Sequence, residues 1–113
     1  MPDVPPDLML VVTTLEEEGS ACALARRLVD ERLIACGNVL PGLHSIYRWQ
    51  GRVEEAGEVM VLMKTRGELL LRLQERVMEL HPYDVPEFIA VRASDVGQVY
   101  GAWVRDETTE VNG

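Results

Sequence analysis

The sequence predicts an α+β fold, four antiparallel strands backed on one face by two helices. Two short runs, residues 8–13 (LMLVVT) and 59–63 (VMVLM), are almost unbroken in apolar side chains, as strands covered on both faces are. Two stretches, beginning at Ser20 and Gly67, repeat apolar residues at helical spacing. A long stretch between the first helix and residues 59–63 is broken by Pro41-Gly42, which an edge strand tolerates and a central strand does not. The resulting order is β-α-β-β-α-β. The ferredoxin-like sandwich satisfies it, with strands one and three central, and an extra C-terminal helix follows the last strand.

Taken in order, residues 1–7 hold three prolines and two aspartates and read as a loose head. Thr14 and Glu17 have capping-box spacing ahead of the first helix, with Ser20 as the other candidate start. That helix presents Ala21, Leu24, Ala25, Leu28, Val29 and Leu33 as one stripe. Gln50-Gly51 suits a hairpin tip, and the returning strand runs to Thr65. The helix over residues 67–80 carries Leu70, Leu73, Val77 and Leu80, and Pro82 stops it by pushing the preceding residue out of helical space. Residues 87–93 form the last strand. A short helix from about Ser94 brings Val99, Tyr100 and Trp103. The domain spans residues 8–105, and residues 106–113 read as a loose tail.

A chain of 113 residues is one domain with room for a core. Its net charge of −8 works against nucleic acid and anionic membrane alike, and one Phe leaves few rings for stacking bases. Cys22 and Cys36 lie too far apart for a C-x-x-C metal pair and read as buried thiols of a cytoplasmic protein. The first twelve residues lack the basic start and long apolar run of a secretion signal, and no stretch approaches membrane-spanning length. No nucleophile elbow, HExxH motif, Walker loop or Ser-His-Asp order occurs, so the residues give no sign of an enzyme.

The predicted fold leaves one sheet face bare. Residues 59–63 are apolar on both faces, and the long second strand is an edge bearing Leu43, Ile46, Tyr47 and Trp49. A closed oligomer would cover both. The other solution is a C-terminal helix that folds back across the face.

The stretch ELHPYDVPEF, residues 79–88, concentrates the candidate chemistry. His81, Asp84 and Glu87 recur every third residue, the period of a polyproline helix. At about 3.1 Å per residue, however, the three span roughly 19 Å, so one ion could meet two of them but not three. Imidazole and carboxylate suit Cu(II), zinc and similar divalent ions, and two ligands from one chain need more from another. The plainer reading of His81 is a cap on the second helix, and of Tyr83 a packed corner residue. Glu87 would pair with Lys64 at the end of the third strand, as a structural ion pair or as part of a ligand site. On the edge strand, His44, Arg48 and Trp49 read as subunit interface, or as a small-molecule cleft between subunits in which Arg48 holds an anion.

ACGNVLPGLHSIYRWQGRVEE, GEVMVLMKT, HPYDVPE and YGAWV, in that order, resemble the CutA family of divalent-cation tolerance proteins over residues 8–105. The resemblance implies a ferredoxin-like chain assembled as a homotrimer by strand pairing. It also implies a non-catalytic role in the response to metal ions, with copper or a similar divalent cation bound and no cofactor required. Matched residue by residue, the family's proposed metal-site histidine falls on His81 and its acidic partner on Glu87, with Asp84 between them. A cysteine that some members carry before the first helix falls on Thr13, so that thiol is absent; Cys36 matches the one that follows the helix. The trimer is also similar to PII signalling proteins. That likeness implies an alternative in which a small-molecule effector binds between subunits near Arg48, Trp49, Lys64 and Tyr83.

Overall fold

The computed structural model describes residues 7–109. Eight elements follow in order: β1 (Leu8–Leu15), α1 (Glu18–Asp30), β2 (Cys36–Trp49), β3 (Arg52–Arg66), a 3-10 turn (Gly67–Leu69), α2 (Leu70–Leu80), β4 (Ile89–Arg92) and α3 (Gln98–Glu107). The four strands form one antiparallel sheet in the order β2-β3-β1-β4, so β1 and β3 are central, as expected.

The two faces of the central strands differ. Val11, Val61 and Met63 have no exposed surface, and with Met9, Leu15 and Val59 they pack beneath α1 and α2. Ala21, Leu24, Ala25 and Leu28 of α1 and Leu73 and Val77 of α2 close this core. Val29 does not join them, being 39% exposed. On the opposite face Leu10, Val12, Met60 and Leu62 are only half-buried, and Ile89 and Val91 on the neighbouring edge are more than half exposed. α3 does fold back, but it covers one end alone. Val104 packs there with Leu8 and Ala35 against Leu10, Ala93 and Val96.

Past the pairing of Leu15 with Val59, β2 and β3 continue without a third strand, from Leu43 opposite Glu58 to Trp49 opposite Arg52. The register slips between Leu40 and Leu43, so Pro41 and Gly42 face Val59 together. Gly42 takes φ +87°, which costs glycine nothing. The bulge therefore sits where the sheet ends and a two-stranded arm begins. Gln50 and Gly51 both have positive φ at its tip, the twist a tight hairpin needs.

Several boundaries depart from the sequence expectations. Thr14 lies inside β1 and no side chain caps α1, so the Thr14–Glu17 capping box does not form; the Ser20 hydroxyl instead donates to the Glu17 carbonyl. β4 is four residues long, and α3 starts at Gln98. Asp106 and Glu107, assigned to the tail, belong to α3. Thr108 beyond them is 2% exposed and accepts from Arg66 Nε at 3.0 Å. Asp7, assigned to the head, accepts the Gly67 amide at 3.0 Å and pairs with Arg92. The rest of the expected head and tail, residues 1–6 and 110–113, lies outside the described residues.

Candidate functional site

The corner after α2 is built around His81. Its amide closes the helix on the Val77 carbonyl at 2.8 Å, and its side chain is buried. The Tyr83 amide donates to Nδ1 at 3.1 Å, and Nε2 lies 2.9 Å from the Thr14 carbonyl. An amide can only donate and a carbonyl can only accept. Nδ1 therefore carries the lone pair, Nε2 carries the proton, and the ring is neutral with both nitrogens engaged. Burial holds the His81 pKa below its ordinary value, outweighing the opposing pull of the Thr14 carbonyl and Glu58.

Tyr83 extends the network. Its ring meets the His81 ring edge-on at 4.8 Å, and its hydroxyl donates to Glu58 Oε2 at 2.8 Å. Burial, then the Glu58 carboxylate, push the phenol pKa well above its ordinary value, so it stays a donor. Glu58 is the first β3 residue on the arm side of the bulge. The corner thus clasps the end of α2 to β1 and to the root of the arm.

As a metal centre the corner in a single chain does not fit. The lone pair of His81 is spent on the Tyr83 amide. Asp84 is exposed, Glu87 is half-buried, and neither has a polar partner among the described residues. No three His, Cys, Asp or Glu side chains are grouped for one ion among those residues. His81 is the helix-ending residue of the plainer reading, though its ring bonds a β1 carbonyl and not a free carbonyl of α2.

The expected Lys64–Glu87 pair is absent for reasons of register. β4 runs antiparallel to β1 with Ile89 opposite Val12, which projects Glu87 towards Thr14, whereas Lys64 lies opposite Leu10. The offset is four residues, roughly 13 Å along the sheet. Lys64 bonds the Asn38 side-chain oxygen, which also accepts from Cys36 Sγ at 3.7 Å. Cys36 is half-buried on the open face beside Tyr100, whose pKa is raised by burial and then by that neighbour. Cys22, expected to be buried, is exposed on α1.

The residues proposed for a cleft are also dispersed within one chain. Arg48 donates to the Gly51 carbonyl at 3.4 Å at the arm tip, where Trp49 is 44% exposed and faces Arg52. Tyr83 is at the arm root. Lys64 is twelve residues beyond Arg52 on β3, roughly 40 Å at a strand rise of about 3.3 Å. His44 pairs with Glu55 at 2.8 Å on the exposed arm. In the sequence Glu58 reads as one more acid in EEAGE; the pairing of Leu15 with Val59 sets it just beyond the end of β1, where the Tyr83 hydroxyl meets it. No described helix is long and apolar enough to cross a membrane.

Comparison with known proteins places this architecture. The family model described as CutA1 divalent ion tolerance protein matches residues 9–107. The divalent-cation tolerance protein CutA of Thermus thermophilus is 46% identical over 99 residues, covering 88% of this chain and 96% of its own. That of Pyrococcus horikoshii is 43% identical over 101 residues, covering 89% and 98%. The solved Thermus thermophilus structure superposes with a TM-score of 0.87 at 44% identity, over 90% of this chain and 99% of that one. With a match across nearly its whole length and the same sheet and helices, this chain belongs to the CutA1 divalent ion tolerance family.

Proposed function

We propose that the chain acts as a non-catalytic, cytoplasmic divalent-cation tolerance protein that works as a homotrimer. In this reading a divalent cation, Cu(II) or one of similar chemistry, is held weakly at the seams between subunits. Asp84 and Glu87 of one chain supply carboxylates there, and a neighbouring chain supplies the remaining ligands. His81 shapes the corner from behind and keeps Asp84 and Glu87 in place; it enters the coordination shell only if it surrenders its bond to the Tyr83 amide.

The observation that carries this reading is the unsupported arm. A two-stranded hairpin is marginal in water without a third strand or a packed face. Here the arm exposes Ile46 at 67% and Val53 at 64%, with Tyr47 and Trp49 each at 44%. The open sheet face beside it is equally uncovered at Leu40, Ile89 and Val91. Neighbouring copies covering both would bury this surface and bring the carboxylates of the corner beside a second chain.

Sedimentation velocity at micromolar protein tests the assembly, with an expected mass three times the 12.7 kDa of the chain. Calorimetric titration with copper tests the site. Wild type binds, Asp84→Asn with Glu87→Gln loses the heat, and a trimer that binds no copper at micromolar concentration overturns the metal half of the proposal.

A further inference from the structure

A cavity of about 340 Å³ lies between the C-terminal ends of α1 and α3, well away from the corner and the arm. It is lined by the apolar Val29, Ile34 and Ala35, by the Trp103 indole, and by the charged Asp30, Arg32 and Glu107. Its volume is at the small end of ligand sites, which run from about 300 to 1,000 Å³.

Two local rules are broken at this cavity. The helix ends in a Schellman turn, with Leu33 N bonded to the Leu28 carbonyl and Arg32 N to that of Val29, both at 3.0 Å. The turn places Arg32 at φ +59°, a conformation that glycine adopts freely and arginine does not. The arginine side chain crosses to α3, where Nη1 donates to the Glu107 carbonyl at 3.2 Å and approaches its carboxylate at 3.8 Å. The second departure is Asp30. It is the last residue of α1, where the helix dipole disfavours negative charge, and it has no partner among the described residues. Its neighbour Glu31 shares that end but is neutralised by Arg27 and Arg76. The free charge at the rim is thus negative, and Trp103, 42% exposed, offers the aromatic surface on which cations settle.

We propose that this cavity binds a small organic monocation, an amine with a short apolar stem. The stem lies on Val29 and Ile34, the ammonium sits between the Asp30 carboxylate and the Trp103 indole, and the Arg32 bridge holds Glu107 over the opening. The bound cation would relieve the repulsion between Asp30 and the helix end. The site is independent of the metal reading.

The test uses the purified full chain in whatever assembly it adopts, titrated with n-pentylamine and with two probes of the same stem, 1-pentanol and pentanoate. Amide shifts in ¹H–¹⁵N spectra locate binding, and calorimetry measures it. Pentylamine is expected to saturate, with shifts confined to residues 29–35 and 103–107, while the alcohol and the carboxylate do not. Asp30→Asn, an exposed change that leaves the core untouched, is expected to weaken the amine by about fivefold. The proposal is overturned if pentylamine does not saturate, if pentanoate binds as well, if the shifts map elsewhere, or if Asp30→Asn leaves the affinity unchanged.

Discussion

His81 donates from Nε2 to the carbonyl of Thr14 at 2.9 Å, joining the end of α2 to the central strand across 67 residues of sequence. Thr14 is the last β1 residue on the open side of the sheet before Leu15 closes the strand. The bond works only while the ring is neutral, because protonating Nδ1 would set an N–H against the N–H of Tyr83. Burial lowers the folded pKa of His81 below the ordinary 6.5. Between the two values the unfolded chain binds the extra proton, so stability rises with pH through that window. His81 therefore contributes fully above about pH 6.5 and loses its contribution as pH falls through the lowered folded value. Urea midpoints measured from pH 7.5 down to 5 should fall. His81→Gln should lower the unfolding free energy at pH 7.5 by about 1–3 kcal/mol and flatten its dependence on pH. A slope unchanged in the variant would assign the pH dependence elsewhere.

This corner marks how far the sequence could be read. Pro82 and the end of the apolar stripe at Leu80 locate the end of α2, because both act on the local backbone. The unbroken apolar runs identify β1 and β3 as central, although in one chain only their helix side is fully buried and Leu10, Val12, Met60 and Leu62 on the other side are half-buried. Partners fixed by register were not legible. Lys64 meets Asn38 and not Glu87, and Glu58 meets Tyr83, because the register of β3 against its neighbours and the start of β4 at Ile89 decide which side chains face each other. A shift of one residue in either would rewrite those pairs.

Thr13 offers a test of the core. Its hydroxyl is fully buried and has no hydrogen-bond partner among the described residues. It faces α1 and α2 with Val11 and Leu15, opposite Val61. An orphan hydroxyl of this kind costs about 1–3 kcal/mol, and valine fills the same volume without it. Thr13→Val should raise the unfolding free energy by about 1 kcal/mol, and the urea midpoint with it, at an unchanged denaturant slope. A fall in the midpoint would mean that the hydroxyl has a partner in solution.

Glu31 joins the two helices at the surface. Arg76 reaches it at two points, Nε to Oε1 and Nη2 to Oε2, each at 2.8 Å, and Arg27 adds a third contact at 2.8 Å. The Arg76 hydrogen bonds, then that from Arg27, draw the carboxyl pKa from 4.5 to about 2. The folded form thus holds its charge where the unfolded chain is protonated. The contribution is present above about pH 4.5 and lost as pH falls towards 2. Because the pair is near the surface, Glu31→Gln should cost only about 1 kcal/mol at pH 7, and less in molar salt. Denaturation at pH 7 in low and high salt would check both statements.

The bare sheet face separates a lone chain from an assembled one. Ile89 is 52% and Val91 53% exposed on the open side of β4, opposite Val12 and Leu10. Were the chain to work alone, an aspartate at either place would meet water, and its cost would stay within about 0.5 kcal/mol. If neighbouring copies cover this face, the same carboxylate is buried without a partner and costs several times more. Ile89→Asp should then give chains of single mass in sedimentation and a lower thermal midpoint. The core between sheet and helices keeps Val11, Val61 and Met63 in place, so the far-ultraviolet spectrum should persist. An Ile89→Asp protein that sediments as a stable trimer would place the contact between subunits on the arm, at Ile46 and Val53, and the matching Val53→Asp change would then be the one to dissociate it.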